Sequence, residues 1–245
     1  MSIVQALINA STGVILIRLD VEAVRDRETD VGGERHERRF KLRGGDVSLD
    51  LVNTLGWRLT GYPREYLRSY EDLLEWGRQA GLLAPEEKED LFRQATLDPE
   101  GAQEALSRAI VLRDAIHRLI SAHIAGESQD ENDLSALNRE LSVALSRLRL
   151  LPTGGAYGWG WDRSGDDGEA RLDGPLWPVA YSAAEILTSP KLGRVKLCAG
   201  EGCGWVFLDE SRNSSRRWCD SRDCGNRERV RRHLARKRAS GASGS

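Results

Sequence analysis

The 245-residue chain has no long hydrophobic run. Its longest apolar stretch, Val14 to Leu19, is interrupted by Arg18 and falls far short of the roughly 18 residues a membrane span needs. No membrane partner is therefore expected. The N-terminus lacks a basic opening segment and a small-residue cleavage site behind an apolar block, so no secretory signal is expected and the cytoplasm is the expected compartment. Cysteine is absent before position 198, and all four cysteines crowd into the C-terminal segment. A disulfide scaffold spreads its cysteines to tie loops together, so clustering in a reducing compartment favours metal. No internal repeat stands out at solenoid periods. Also missing are a nucleophile paired with a base, a phosphate loop and a carboxylate constellation, so no enzyme activity is expected.

What is present is unevenly distributed. The formal charge of -2 conceals a C-terminal segment, Lys191 to Ser245, with 14 Lys and Arg against 6 Asp and Glu, and a remainder with 22 against 32. An acidic body with a basic tail implies a polyanionic partner for the tail, because a basic surface concentrates phosphates.

Residues 1–39 alternate weakly through Ile15, Ile17, Leu19 and Val21 before the charged stretch Val31 to Arg39, which fits one edge strand or disorder. From Phe40 the pattern becomes helical. Asp46 to Thr54 reads as a helix or a strand-to-helix entry. Ser69-Tyr-Glu-Asp72 is a capping-box-like start for a helix that stops at Gly81. Pro85 and Asp98-Pro99 mark two further starts. After the second, Ala105, Ala109, Leu112, Ile116 and Leu119 form one helix face. Asp130 caps a helix whose Leu134, Leu137, Leu141, Ala144, Leu148 and Leu151 follow a three-four pattern, and the two helices are expected to pair antiparallel. Beyond Pro152, the alternating Tyr157, Trp159 and Trp161 with the turn residues Arg163 to Gly168 predict a hairpin with an aromatic core. A short helix, Val179 to Leu187, precedes a boundary at Ser189-Pro190.

The segment that carries chemistry follows. Cys198-x4-Cys203 and Cys219-x4-Cys224 are two tight loops separated by fifteen residues, and four thiolates complete a closed tetrahedral zinc site. A zinc hydrolase needs an open coordination position, which four thiolates do not leave. Trp205 to Leu208 reads as a strand, Asn213 to Arg217 as a basic turn, and Asn226 to Arg238 as a helix, an order that fits a treble-clef finger. A module of this size buries too little apolar surface to fold without its metal. His233, nine residues past Cys224, lies about 13 Å along the helix and cannot share that ion; it reads as a surface histidine or a phosphate contact.

The run from Cys198-Ala-Gly-Glu-Gly-Cys203 through Trp218-Cys219 and Cys224-Gly-Asn-Arg227 to Arg231-Arg-His233 resembles the CGNR zinc finger. Upstream, Phe40-Lys-Leu-Arg-Gly-Gly-Asp-Val-Ser-Leu-Asp-Leu-Val-Asn-Thr54 and Trp177 to Pro190 resemble the ABATE domain, found before such fingers in bacterial proteins described as stress-induced transcription regulators. The resemblance covers residues 40 to 238 and implies a zinc-dependent, DNA-binding finger. Residues 1 to 39 have no counterpart in it.

The expectation is thus a mostly α protein: an unassigned extension (1–39), a helical ABATE-like domain with a small β-hairpin (40–190), a treble-clef-like zinc finger (191–238) and a flexible tail (239–245). Zn2+ is the expected cofactor, held by Cys198, Cys203, Cys219 and Cys224. Gly225, Asn226 and Arg227 are expected to support the site, by close amide approach to sulfur, helix capping and charge compensation respectively. Arg216, Arg217, Arg229, Arg231, Arg232, Arg236, Lys237 and Arg238 are expected to contact DNA phosphates, with Glu228 weakening the clamp at its turn. In the acidic domain Asp50 and Asn53 fit either ligand orientation or buried capping bonds, while His117 and His123 lack metal-pair spacing. The expected function is transcription regulation, with the N-terminal domain as a sensor or dimerisation unit. A small-molecule effector, a protein or a second copy of the chain are its candidate partners. The alternative is a non-enzymatic adaptor that binds protein or RNA.

Overall fold

The computed structural model describes residues 3–9, 14–20, 40–153, 155–163 and 171–242, with side chains for 40–152, 155–163 and 171–237. The stretch Val31 to Arg39, most of the turn after Arg163, the last three residues of the expected tail and the side chain of Arg238 lie outside the described residues.

The chain is mostly helical, and its helices begin where the capping residues stand. Helix α1 (Val47–Val52) opens on Asp46, whose carboxylate accepts from the Ser48 amide at 2.9 Å. Helix α2 (Tyr70–Gln79) opens on Ser69, which accepts from the Asp72 amide, and ends before Gly81, whose φ of 73° suits a residue without a Cβ. Helix α3 (Pro85–Leu97) has proline at its first position, and Glu87 reaches back to the Ala84 amide at 2.8 Å. Helix α4 (Pro99–Ala125) buries the expected face of Ala105, Ala109, Leu112, Ile116 and Leu119.

Helix α5 (Glu131–Arg147), capped by Asp130, departs from its leucine pattern. Leu134 is 41% exposed, whereas Asp133, Leu137, Glu140 and Ala144 are buried. The two acids go inside because each meets an arginine: Arg118 pairs with Asp133 at 2.6 Å, and Arg108 pairs with Glu140 at 2.8 Å. This reversed order of partners is the one that antiparallel α4 and α5 require. Leu148 and Leu151 keep the helical spacing but belong to a strand. Pro152 cannot continue a helix, and the residue before a proline is driven to extended backbone.

Contacts divide the chain into two compact units. The first comprises Met1–Phe40, Ser69–Ile110 and Asn138–Tyr181. It holds a four-stranded antiparallel sheet of β1 (Ile3–Asn9), β2 (Val14–Asp20), β5 (Leu148–Thr153) and β6 (Ala156–Trp161), in the order β1-β2-β6-β5. The N-terminus therefore supplies two strands where one edge strand or disorder was expected. A hairpin, β5–β6, does contain the alternating aromatics, with Leu148 opposite Trp161, but it turns between Thr153 and Ala156, before them, and not at the expected turn residues Arg163 to Gly168. Of its three alternating aromatics only Trp161 is buried, tilted against Trp177 at 6.4 Å and edge-on to Tyr181 at 6.0 Å; Tyr157 and Trp159 are exposed. Trp177 opens helix α6 (Trp177–Thr188).

The second unit comprises Lys41–Arg68, Val111–Leu137 and Ser182–Ser245. It contains α1, the short strands β3 (Leu55–Gly56) and β4 (Arg64–Glu65), the hairpin of β7 (Val195–Leu197) and β8 (Val206–Leu208), and helix α7 (Cys224–Ala242). Helix α7 starts two residues before the expected position and takes in four residues of the expected tail.

Candidate metal centre

The cysteine-bearing segment is a small frame whose parts converge on one point. The first knuckle, Cys198 to Cys203, forms the tip of the β7–β8 hairpin, closed by the Cys198 amide donating to the Trp205 carbonyl at 2.8 Å. The second knuckle ends at Cys224, the first residue of α7. All four cysteines are buried and free, and their sulfur atoms lie within 4.8 Å of one another. A tetrahedral zinc ion with Zn–S bonds of about 2.3 Å sets its sulfurs roughly 3.8 Å apart. The Cys203–Cys219 and Cys219–Cys224 separations are 3.8 Å and 3.6 Å. Among the described residues this is the one group of His, Cys, Asp or Glu able to hold a metal ion.

The electrostatics also call for a cation. Hydrogen bonds from Cys203, Cys219 and Cys224 hold the Cys198 thiol far below its usual range. Sharing with Cys198 pushes Cys203 and Cys219 above it. Four thiolates this close do not all ionise by themselves, and a divalent ion removes that conflict. The amides of Gly200 and Cys219 donate to Cys198 Sγ at 3.4 and 3.3 Å, and an Arg227 guanidinium nitrogen donates to Cys224 Sγ at 2.8 Å. The residues present fit zinc in a closed, structural role, in which the ion ties both knuckles and the start of α7 together.

Residues 45–190 match the ABATE family, described as "Putative stress-induced transcription regulator", and residues 194–237 match the CGNR zinc finger. The chain belongs to the ABATE family. No curated protein matches it. No helix among the described residues is long and apolar enough to cross a membrane.

Residues 41–59, most of them in the ABATE segment, and His117 supply much of the support for the CGNR finger. Along the outer edge of β8, the Leu208 amide donates to the Gly44 carbonyl at 2.7 Å. Two residues earlier on that edge, Asn53 makes a reciprocal pair with Val206, donating to its carbonyl at 2.9 Å and accepting from its amide at 3.0 Å. Asn53 thus completes a strand edge rather than orienting a ligand. Gly44 is confined as well, since a Cβ there would meet Leu49 Cβ at 2.7 Å. At the first knuckle, the Arg58 and Leu59 amides donate to the carbonyls of Cys203 and Gly202 at 3.2 and 3.3 Å, and His117 Nε2 lies 3.1 Å from the Gly204 carbonyl. Burial pushes the His117 imidazole down to about 4, so it is neutral at pH 7 and donates that bond through Nε2–H. Lys41 and Arg43 pair with Asp223 and Asp220 of the second knuckle at 2.8 and 3.1 Å.

The expected supporting residues divide. Arg227 sets its guanidinium against Cys224 Sγ and also stacks it over Trp57 at 4.3 Å. Gly225 sends its amide to the Asp220 carbonyl rather than to sulfur, and packs beneath Trp218. Asn226 is exposed inside the first turn of α7 and cannot cap it, because the helix starts earlier; the Asp223 carbonyl accepts from the Arg227 amide at 2.9 Å.

The basic residues divide too. Arg216 is engaged internally. It donates to the carbonyls of Trp218, Arg43 and Cys219, and its guanidinium lies 4.2 Å over Phe207. Beside it, Asp209 is fully buried and accepts from Lys196, Ser211 and the Arg216 amide. Burial alone would raise this carboxyl, but the Lys196 ammonium at 2.6 Å and the other donors hold it well below the usual range. Together Arg216, Lys196 and Asp209 fix the loop between the knuckles. Arg217, Arg229, Arg231, Arg232, Arg236 and Lys237 are exposed. Arg231 and Arg232 both bond Glu228, at 2.9 Å each, and Arg231 also reaches Glu201 at 3.1 Å.

Proposed function

We propose that this ABATE protein is a zinc-dependent, cytoplasmic, non-enzymatic transcription regulator whose finger binds duplex DNA, mainly through phosphates contacted by α7. The observation that carries the reading is the rigid origin of that helix. Its first residue is a metal ligand, and from it extends a run of exposed cations at Arg229, Arg231, Arg232, Arg236 and Lys237, with Arg217 on the preceding loop. Such a surface exceeds what solubility needs and suits a polyphosphate backbone. Arginine is plentiful and the asparagine or glutamine that reads adenine is scarce, so contacts should position the protein more than specify a sequence. Arg216 is left out of the contact set because its donors are already engaged.

For the N-terminal region, a sensing or dimerising role is supported by the apolar cross-strand pair Leu150 and Trp159, exposed on the β5–β6 hairpin beside Tyr157. The test of DNA binding compares zinc-loaded wild type with an Arg231→Ala, Arg232→Ala variant by fluorescence anisotropy over a range of salt. Affinity should fall for all duplex sequences alike, and the log-log salt slope should drop by about two. Identical slopes and affinities, or binding of single-stranded RNA with none of duplex DNA, would overturn this reading.

A further inference from the structure

Between β3 and β4 the chain makes a loop that leaves three large apolar side chains in solvent. Trp57 is 39% exposed, Leu59 64% and Tyr62 91%. Single exposed apolar residues are ordinary, but three within six positions on a braced loop call for a use. The bracing comes from the zinc knuckle through the Arg58 and Leu59 amides. The loop's own bonds add to it: the Thr60 amide and hydroxyl both donate to the Trp57 carbonyl, at 3.0 and 2.7 Å, and the Tyr62 amide donates to Thr60 Oγ1 at 3.2 Å.

Two further features show that the surroundings impose this shape. Trp57 has a φ of 55°, in the left-handed region that a bulky residue enters only when held there. The knuckle glycines make room for the loop: a Cβ at Gly202 would stand 2.6 Å from Thr60 Cγ2, and one at Gly204 would stand 2.8 Å from Arg58 Cβ. The loop also meets the basic helix at the knuckle, where Arg227 stacks on Trp57 and Arg231 reaches Glu201.

We propose that the Trp57–Tyr62 loop is a base-stacking element, in which Tyr62, with Leu59 on the same loop, takes up an unstacked DNA base while the arginines of α7 hold the flanking phosphates. The proposal rests on the DNA-binding reading above and deepens it by naming the preferred substrate, a duplex with an unpaired, exposed base. A flat ring on a preordered loop stacks at little entropic cost and without regard to base identity. In an intact duplex the base faces are already covered, so the gain appears where one is free.

The experiment uses the zinc-loaded full chain and two duplexes containing 2-aminopurine, one fully paired and one carrying it as a single-base bulge. Wild type should bind the bulged duplex more tightly and quench its emission. Tyr62→Ala should lower affinity for the bulged duplex about 5- to 150-fold, abolish the quenching and leave the salt slope unchanged, while Tyr62→Phe should behave as wild type. Tyr62 is exposed, so zinc content and the unfolding transition of the alanine variant should match wild type. A Tyr62→Ala protein that binds and quenches like wild type overturns the proposal and turns the loop toward a protein partner. A wild type that binds neither duplex removes the DNA-binding reading and the proposal with it.

Discussion

Replacing Asn53 by alanine tests how far the ABATE segment holds the zinc finger in place. Asn53 is 2% exposed and Val206 is fully buried. The side-chain amide satisfies both the amide and the carbonyl of Val206, at 3.0 and 2.9 Å. Alanine leaves one donor and one acceptor unpaired and without water, at about 1–3 kcal/mol each, so the loss should be about 2–6 kcal/mol against a typical total of 5–15. Strand β8 follows Cys203 by three residues, and in small metal sites ligand convergence and folding are one equilibrium. If about 3 kcal/mol of the loss falls on the metal-competent state, zinc retention weakens by about 150-fold. Urea unfolding followed by circular dichroism should show a lower midpoint, and competition with a chromogenic chelator should show easier zinc release. Asn53→Asp should also be destabilised, since it keeps an acceptor for the Val206 amide but sets a carboxylate against its carbonyl. An alanine variant with an unchanged midpoint and unchanged zinc release would refute the reasoning.

Elemental analysis should find one zinc per chain, and Cys219→Ser should lose it, since Cys219 Sγ stands within 3.8 Å of both Cys203 and Cys224; full occupancy in the variant would count against a four-thiolate site. Glu228→Gln frees Arg232 from its ion pair and Arg231 from one of its two, the other being with Glu201, and should tighten duplex binding several-fold at low salt in an anisotropy titration; unchanged or weaker binding would remove those arginines from the contact surface. Asp50 tests the pH dependence. Burial pushes its carboxyl from 3.8 up to about 7. A raised folded pKa gives stability that is complete below about pH 4 and lost as pH rises from there through 7, by about 4 kcal/mol. Asp50→Asn keeps an acceptor for the Gly44 amide, which bonds Asp50 Oδ1 at 2.7 Å. The variant should be more stable than wild type at pH 8 and have a flatter stability profile between pH 4 and 7, and an unchanged profile in urea unfolding would contradict this.

Local signals were sufficient for the helices and for the metal ligands. A cap such as Asp46 or Ser69 acts within three residues, and the two C-x4-C loops fix which side chains can meet at one ion, so both are written in short stretches of sequence. Leu148 and Leu151 misled because a three-four spacing does not record that the helix ends at Arg147 and that the next residues pair with Ala156 to Trp161 in a hairpin. Leu134 misled because a pattern of leucines cannot show that Asp133 and Glu140 find arginines on another helix. The long-range polar contacts lay beyond the reach of the sequence. Asn53 closing the edge of β8, His117 holding Gly204 and Arg216 turning inward to three carbonyls each depend on a partner many residues distant or on a loop's closed shape. Composition and spacing determined by themselves that this chain carries a four-thiolate zinc site before a basic helix. Only tertiary structure decided which polar side chains are used up inside and which stand exposed, because a hydrogen bond is settled by where donor and acceptor come to lie in space and not by the residue types alone.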